Sequence, residues 1–195
     1  MPSLIYLIRH GETEWSLTGQ HTSRTEIPLT QDGQASARQL KEHLQRVSFS
    51  RVLCSPRLRA RQTCELAGFG TGMELDPDLS EWDYGEFEGQ RSLEILDGRP
   101  DWNLFENGCP GGESVALVSE RADRVLARLI ALEETVAVFT HGHIGRVLGA
   151  RWIGLDAIGG RHLLLDAASI SFLGYEPDRA DSPTIVLWNA SRDRC

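Results

Sequence analysis

The 195-residue chain has few cysteines, no long apolar run and no surplus of basic charge. Each of these lacks removes a class of function. Cys54, Cys64, Cys109 and Cys195 include no C-x-x-C pair. Their spacing offers neither a disulfide framework nor a zinc site, so reduced thiols are expected. No stretch is long enough to span a bilayer. The opening residues, "MPSLIYLIRHGE", lack a basic segment and a small-residue cleavage site, and their apolar run is short. No secretory leader is expected, and the cytoplasm is the expected compartment. The formal net charge of -8 argues against general attraction to nucleic acid or to an anionic membrane. No repeat, low-complexity run or Pro/Gly/Ser linker divides the chain, so one domain over residues 1–195 is expected.

What is present is an alternation of short apolar runs with helix-period segments. "SLIYLI", "RVLCS" and "TVAVFT" have the length and branched residues of buried strands. "LTQDGQASARQLKEHLQRV" predicts a helix with Thr30 as N-cap and Ala37, Leu40, Leu44 and Val47 along one face. "PRLRARQTCELAG" predicts a helix with Pro56 at its first turn and Gly68 past its end. "GESVALVSERADRVLARLIALEE" predicts a long helix in which Ser114, Val118, Ala122, Val125 and Leu129 share a face. "HGHIGRVLGARWIG" predicts another. Residues 69–112 have weak periodicity and predict long loops with one short helix near "SLEILDG"; such loops tend to be functional. "ASISFLGYE" and "PTIVLWN" lie too close for a helical crossover and predict two antiparallel closing strands. The pattern is that of an α/β layer fold with a largely parallel sheet.

In open α/β sheets, ligands bind outside the carboxyl ends of the strands. Three predicted strands end in related chemistry there. One runs into Arg9-His10-Gly11. Another reaches Ser55 and a helix bearing Arg57, Arg59 and Arg61. A third reaches His141-Gly142-His143. Helical spacing turns Arg57 and Arg61 away from Arg59. Arg9 and Arg59 suit a phosphoryl group, because guanidinium forks are planar and permanently charged. Gly11 and Gly142 would let backbone approach it closely. A neutral histidine is a competent nucleophile toward phosphorus, and a protonated second one would stabilise the transferring oxygens. The leaving alcohol needs a proton, for which "LSEWDYGEFEG" offers Glu81, Asp83, Glu86 and Glu88. Residue chemistry alone does not choose among the four. His141 and His143 are spaced like a metal-ligand pair, but no third ligand stands at a recognisable spacing.

Four separated motifs, "LIRHGETEW", "CSPRLRARQT", "EWDYGEFEG" and "VFTHGH", together resemble the histidine phosphatase superfamily, which contains the cofactor-dependent phosphoglycerate mutases. "GQHTSRTEIPLT" resembles that family's loop after the nucleophile. The resemblance runs from Leu4 to about Gly154. It implies a three-layer α/β/α sandwich with a mostly parallel sheet. It further implies His10 as the nucleophile that carries a phosphohistidine, and Arg9, Arg59 and His141 as holders of the phosphoryl oxygens. Glu81 becomes the proton donor and then the base, and neither a metal nor another cofactor is required. Gly11, Ser16, Gln20, Thr22, Ser23 and Gly142 are implied near the phosphate, with His21 beside them. Trp82, Trp102 and His143 are candidates for the rim, although core packing is as good an account of the tryptophans.

A mutase must hold two phosphate positions. Here the loop after the acid motif, "GQRSLEILDGRPDWNLFENGCPGGES", is short and has Arg91 and Arg99 but no adjacent arginine pair. Ser16 stands where the mutases have asparagine. These departures favour a phosphatase. "SPRLRARQT", "EWDYGEFEG", "ENGCPGGES" and "HGH" resemble the acid phosphatase and sedoheptulose-bisphosphatase-like branch. The expected partner is therefore a small phosphorylated metabolite, such as a sugar phosphate. The competing expectations are a phosphoglycerate mutase, a metallohydrolase built on His141 and His143, and a non-catalytic phospho-ligand module. The oligomeric state is not set by the sequence; a homodimer is one expectation, since dimers are common among soluble enzymes.

Overall fold

The computed structural model describes residues 4–191, apart from the side chain of Ala180. Ser3 and Cys195 lie outside the described residues. Six strands form one sheet: β1 (Ile5–Arg9), β2 (Arg51–Cys54), β3 (Met73–Leu75), β4 (Val136–Thr140), β5 (Ile170–Glu176) and β6 (Arg179–Ala190), in the order β3-β2-β4-β1-β5-β6. The first four strands in that order run parallel, and β5 and β6 are antiparallel. The helices are α1 (Glu14–Thr18), α2 (Gln31–Leu44), α3 (Leu58–Cys64), α4 (Ser92–Gly98), α5 (Leu104–Asn107), α6 (Val115–Leu132) and α7 (Gly142–Trp152). Among the described residues no helix is long and apolar enough to cross a membrane.

Strand alternation divides the interior into two cores. Ile5, Leu7, Leu53, Val136, Val138 and Leu173 pack with Val118, Ala122 and Val125 of α6 and Ile144, Val147 and Leu148 of α7. Ile8, Cys54, Ala137, Phe139 and Ile170 pack with Leu40 and Leu44 of α2 and with Ala60 and Cys64 of α3. The sheet is thus the middle of three layers, as expected. Its five-residue central strand β4 is buried throughout, which accounts for the unbroken apolar run "VAVF".

Several boundaries differ from expectation for identifiable reasons. Thr30 caps α2 as expected, its hydroxyl accepting from Gly33 N (3.0 Å), but the helix stops before Val47. Ser114 is not on the apolar face of α6; it is the N-cap, accepting from Leu117 N at 3.2 Å. Residues 69–112 hold more than loops and one helix. They include the three-residue edge strand β3, two 3-10 turns (Pro77–Leu79 and Gly85–Phe87) and α5. Elements of three or four residues are too short to imprint a period on a sequence.

Candidate active site

The carboxyl ends of β1, β4 and β2 are neighbours in one sheet edge, with Arg9 in register with Thr140 and Cys54 with Phe139. Each strand therefore hands its next residue, His10, His141 or Ser55, to the same place. His10 is pinned from both sides. Its N–H donates to Thr140 O (3.0 Å) and its carbonyl accepts from Ala168 N (3.0 Å). The His10 and His141 rings meet edge to face, with centroids 5.1 Å apart.

His10 is a buried, neutral imidazole with a defined tautomer. Burial, then the cations of Arg59 and Arg9, push its pKa well below the ordinary 6.5. Nδ1–H donates to Gly11 O at 2.7 Å, which leaves the Nε2 lone pair free. His141 differs from the sequence expectation of an imidazolium. Burial and the charges of Arg59, His10 and Arg9 press its pKa well below 6.5, so it too is neutral. Its Nε2 lies 2.7 Å from Ser55 Oγ. When that hydroxyl donates to Nε2, the proton sits on Nδ1.

The two arginines are half occupied. Arg59 is fully buried, and its terminal nitrogens donate to Thr22 O (2.8 Å), Ser23 O (3.3 Å) and Thr25 O (3.3 Å). The same loop is gripped from its other side by Glu88, whose carboxylate accepts from Ser23 N, Thr25 N and Thr25 Oγ1. Arg9 donates from Nη1 to Leu165 O at 2.5 Å. Six buried side-chain N or O atoms have no hydrogen-bond partner among the described residues, and three of them are Arg9 Nε, Arg59 Nε and His141 Nδ1. The other three are Arg57 Nε, Arg61 Nε and Ser169 Oγ. Buried donors without partners are rare and costly, and Arg9, Arg59 and His141 are the ones whose charge or ring acts directly on His10.

Among the four carboxylates of "EWDYGEFEG", only Glu81 lines the cleft. Its Oε1 accepts from Trp82 N (2.9 Å) and Ile144 N (2.8 Å), and its Oε2 from His143 N (2.9 Å). It thereby caps the first turn of α7, whose own N-cap His141 makes no side-chain cap bond. Asp83 instead closes a turn onto Gly85 N and ion-pairs Arg24, Glu88 holds the 23–25 loop, and Glu86 is exposed.

The cleft, about 220 Å³, gathers Arg9, His10, Ser16, Gln20, His21, Thr22, Glu81, Gly142 and His143, all expected near the ligand. Gly11, Ser23, Arg59 and His141 do not line it; Arg59 and His141 are fully buried behind its wall. A Cβ on Gly11 would stand 2.6 Å from Gly33 O, so glycine is required there for packing against the start of α2. Ser23 is buried between Glu88 and Arg59. Gly142 makes room for a neighbour, since a Cβ would come 3.3 Å from Arg9 Nε and Cζ. Trp82 is fully buried in the core, where its ring packs on Phe105 and its Nε1–H donates to Glu113 O (3.0 Å). Trp102 sits behind the rim, edge-on to His21 and Phe87.

Thr13, Gly19, Tyr84, Ser92, Arg146 and Leu165 also line the cleft and were missed by sequence reasoning. Two had a signal. Tyr84 lies inside the acid motif, and Arg146 follows His143 by one helical step of three. Tyr84 O–H, held protonated by burial and by Glu81, shares a hydrogen bond with His143 Nδ1 at 2.5 Å. His143 is kept neutral by burial and by Arg146. Burial takes His21 down to about 4 against the pull of Glu88. Arg146 is fixed by Gly160 O (2.9 Å) and Arg161 O (2.8 Å) and lies over the Phe105 ring.

A neutral imidazole beside buried cationic donors is suited to an anionic ligand. The model of the histidine phosphatase superfamily (branch 1) matches residues 5–191, and the chain belongs to that superfamily. It is 40% identical to an acid phosphatase of Mycobacterium tuberculosis over 178 residues, covering 88% of this chain and 86% of the relative. It is 32% identical to sedoheptulose 1,7-bisphosphatase of Saccharomyces cerevisiae, with 96% and 94% covered. The solved structure of an open reading frame product of Mycobacterium tuberculosis superposes with a TM-score of 0.91 at 35% identity, over 97% of this chain and 98% of that one.

Proposed function

We propose that the chain is a metal-independent phosphomonoesterase acting on small phosphorylated metabolites through a phosphohistidine at His10. The observation that carries this is the set of three unpartnered buried donors, Arg9 Nε, Arg59 Nε and His141 Nδ1, around a neutral imidazole whose Nε2 is free. An anionic tetrahedral group with several acceptor oxygens satisfies all three donors.

In the first step His10 Nε2 attacks phosphorus, and a P–N bond forms as the ester P–O bond breaks. The departing oxygen takes a proton from Glu81. Each carboxylate oxygen has two lone-pair sites. Oε1 already accepts two N–H groups and Oε2 one, so the proton belongs on Oε2. In the second step Glu81, now a carboxylate, takes a proton from water as the water oxygen attacks the phosphohistidine. The products are an alcohol and inorganic phosphate. The relatives named as an acid phosphatase and a sugar bisphosphatase support hydrolysis over isomerisation. A cleft of about 220 Å³ with a polar and aromatic rim suits a sugar phosphate.

The test is hydrolysis of para-nitrophenyl phosphate in the presence of chelator, with acid-labile, alkali-stable label trapped on His10 after rapid quenching. Loss of turnover on chelation would support the metallohydrolase instead. Isomerisation of 3-phosphoglycerate faster than phosphate release would support the mutase. Binding without turnover across a panel of phosphorylated metabolites would support the non-catalytic module.

A further inference from the structure

Behind Glu81, on the side away from the cleft, lies an ion pair with no part in the chemistry above. Neither Arg121 of α6 nor Glu113 lines the cleft, and their side chains are 10% and 19% exposed. Arg121 Nε and Nη2 hold the two Glu113 oxygens at 2.7 and 2.6 Å. The remaining donors all go to the backbone that carries Glu81. Nη1 donates to Asp78 O and to Ser80 O, both at 2.7 Å, and Nη2 to Glu81 O at 3.4 Å. Glu113 grips the same segment just past Glu81. Its Oε2 accepts from Asp83 N (2.9 Å), its N–H donates to Asp83 O (2.9 Å), and its carbonyl accepts from Trp82 Nε1.

The backbone at Asp78, Ser80, Glu81 and Asp83 and the indole of Trp82 are thus tied to one pair, whereas the Glu81 carboxylate itself is tied to α7. A proton donor must stand within a few tenths of an ångström of its partner oxygen, and a small misplacement is costly. We propose that Arg121 and Glu113 are positioning residues for proton transfer: they set how far Glu81 reaches into the cleft, without touching the substrate. The inference rests on the phosphatase reading and on Glu81 as its acid. A lysine at 121 keeps the charge but cannot serve three carbonyls and a carboxylate from one fork.

The experiment measures kcat and KM for para-nitrophenyl phosphate, whose leaving group needs no proton, and for glycerol 2-phosphate, whose leaving group does. In Arg121→Lys, turnover of glycerol 2-phosphate should fall about 10-fold or more, that of para-nitrophenyl phosphate less than about 3-fold, and KM should stay within about 2-fold. Glu113→Gln, which keeps the shape of the side chain, should show the same selectivity and stands in if Arg121→Lys does not fold. In a Glu81→Gln background Arg121→Lys should change either rate by no more than about 2-fold, because the group it positions has already lost its function. Equal slowing of both esters, or losses that multiply in the double variant, would overturn the inference and leave a purely structural pair. If Glu81→Gln itself spares glycerol 2-phosphate, the proton-donor reading falls and the inference falls with it.

Discussion

Two groups of arginines in this molecule behave in opposite ways. Arg124 and Arg128 on α6 reach Asp76 and Asp78 across the surface, with side chains 55% and 47% exposed and donor distances of 2.6–3.2 Å. Arg9 and Arg59 are buried, spend some of their donors on backbone carbonyls, and each keep an Nε with no partner among the described residues. The exposed pairs look complete and contribute little, since water and salt screen them and long side chains lose entropy on pairing. The buried pair looks incomplete and costs the fold something, because desolvation depresses both guanidinium pKa values. Incompleteness in a buried place is the better sign of function.

The sharpest break of this contrast is His10→Ala, which leaves the donors but removes the nucleophile. Turnover of para-nitrophenyl phosphate should fall by at least about 10³-fold with the fold intact by circular dichroism. Substantial residual turnover would remove His10 from the centre of the site. Next is Arg59→Ala, which should cost both activity and stability. Loss of the donor is expected to lower kcat/KM by on the order of 10²-fold or more. Three carbonyls of the 22–25 loop lose their partner, so urea unfolding should show a loss of about 2–4 kcal/mol. Unchanged stability would mean that the loop is held by Glu88 alone.

The pH dependence comes next in size. Only neutral His10 attacks phosphorus, and its pKa lies well below 6.5, so activity should persist under mildly acidic conditions where an ordinary histidine is protonated. A rate that already falls through pH 6.5 would contradict that. Stability should move the other way with acid. His21 is held down to about 4 in the folded state against an ordinary 6.5, so between those values the unfolded chain binds more protons. Stability is therefore lost as pH falls from about 6.5 to about 4, by up to about 3 kcal/mol from this group. Denaturant titrations should show that slope, flattened in His21→Gln. The smallest effect belongs to the exposed pairs. Arg124→Ala and Arg128→Ala should each change stability by less than about 1 kcal/mol and leave kcat/KM unaltered. A large effect from either would erase the contrast between the two groups.

Much of this was legible along the chain. A five-residue apolar run followed by Arg-His, and a second followed by His-Gly-His, are local patterns, and strand alternation then requires parallel neighbours with a common edge. These local patterns alone bring His10, Ser55 and His141 to one place. The rest depended on pairs far apart in sequence. Which of four carboxylates faces the cleft is decided by the first turn of α7, 62 and 63 residues beyond Glu81. Whether Trp82 is rim or core is decided by Phe105 and Glu113. The packing reason for glycine at position 11 is the carbonyl of Gly33.

The division has a physical basis. Hydrophobic period, caps and turn residues act over a few neighbours, so they write the elements, their order and the chemistry at strand ends directly into the sequence. The protonation of His141, the unpaired donors around His10 and the Arg121–Glu113 brace behind Glu81 depend on desolvation and on hydrogen bonds between distant segments. Those exist only once the layers close around the sheet edge.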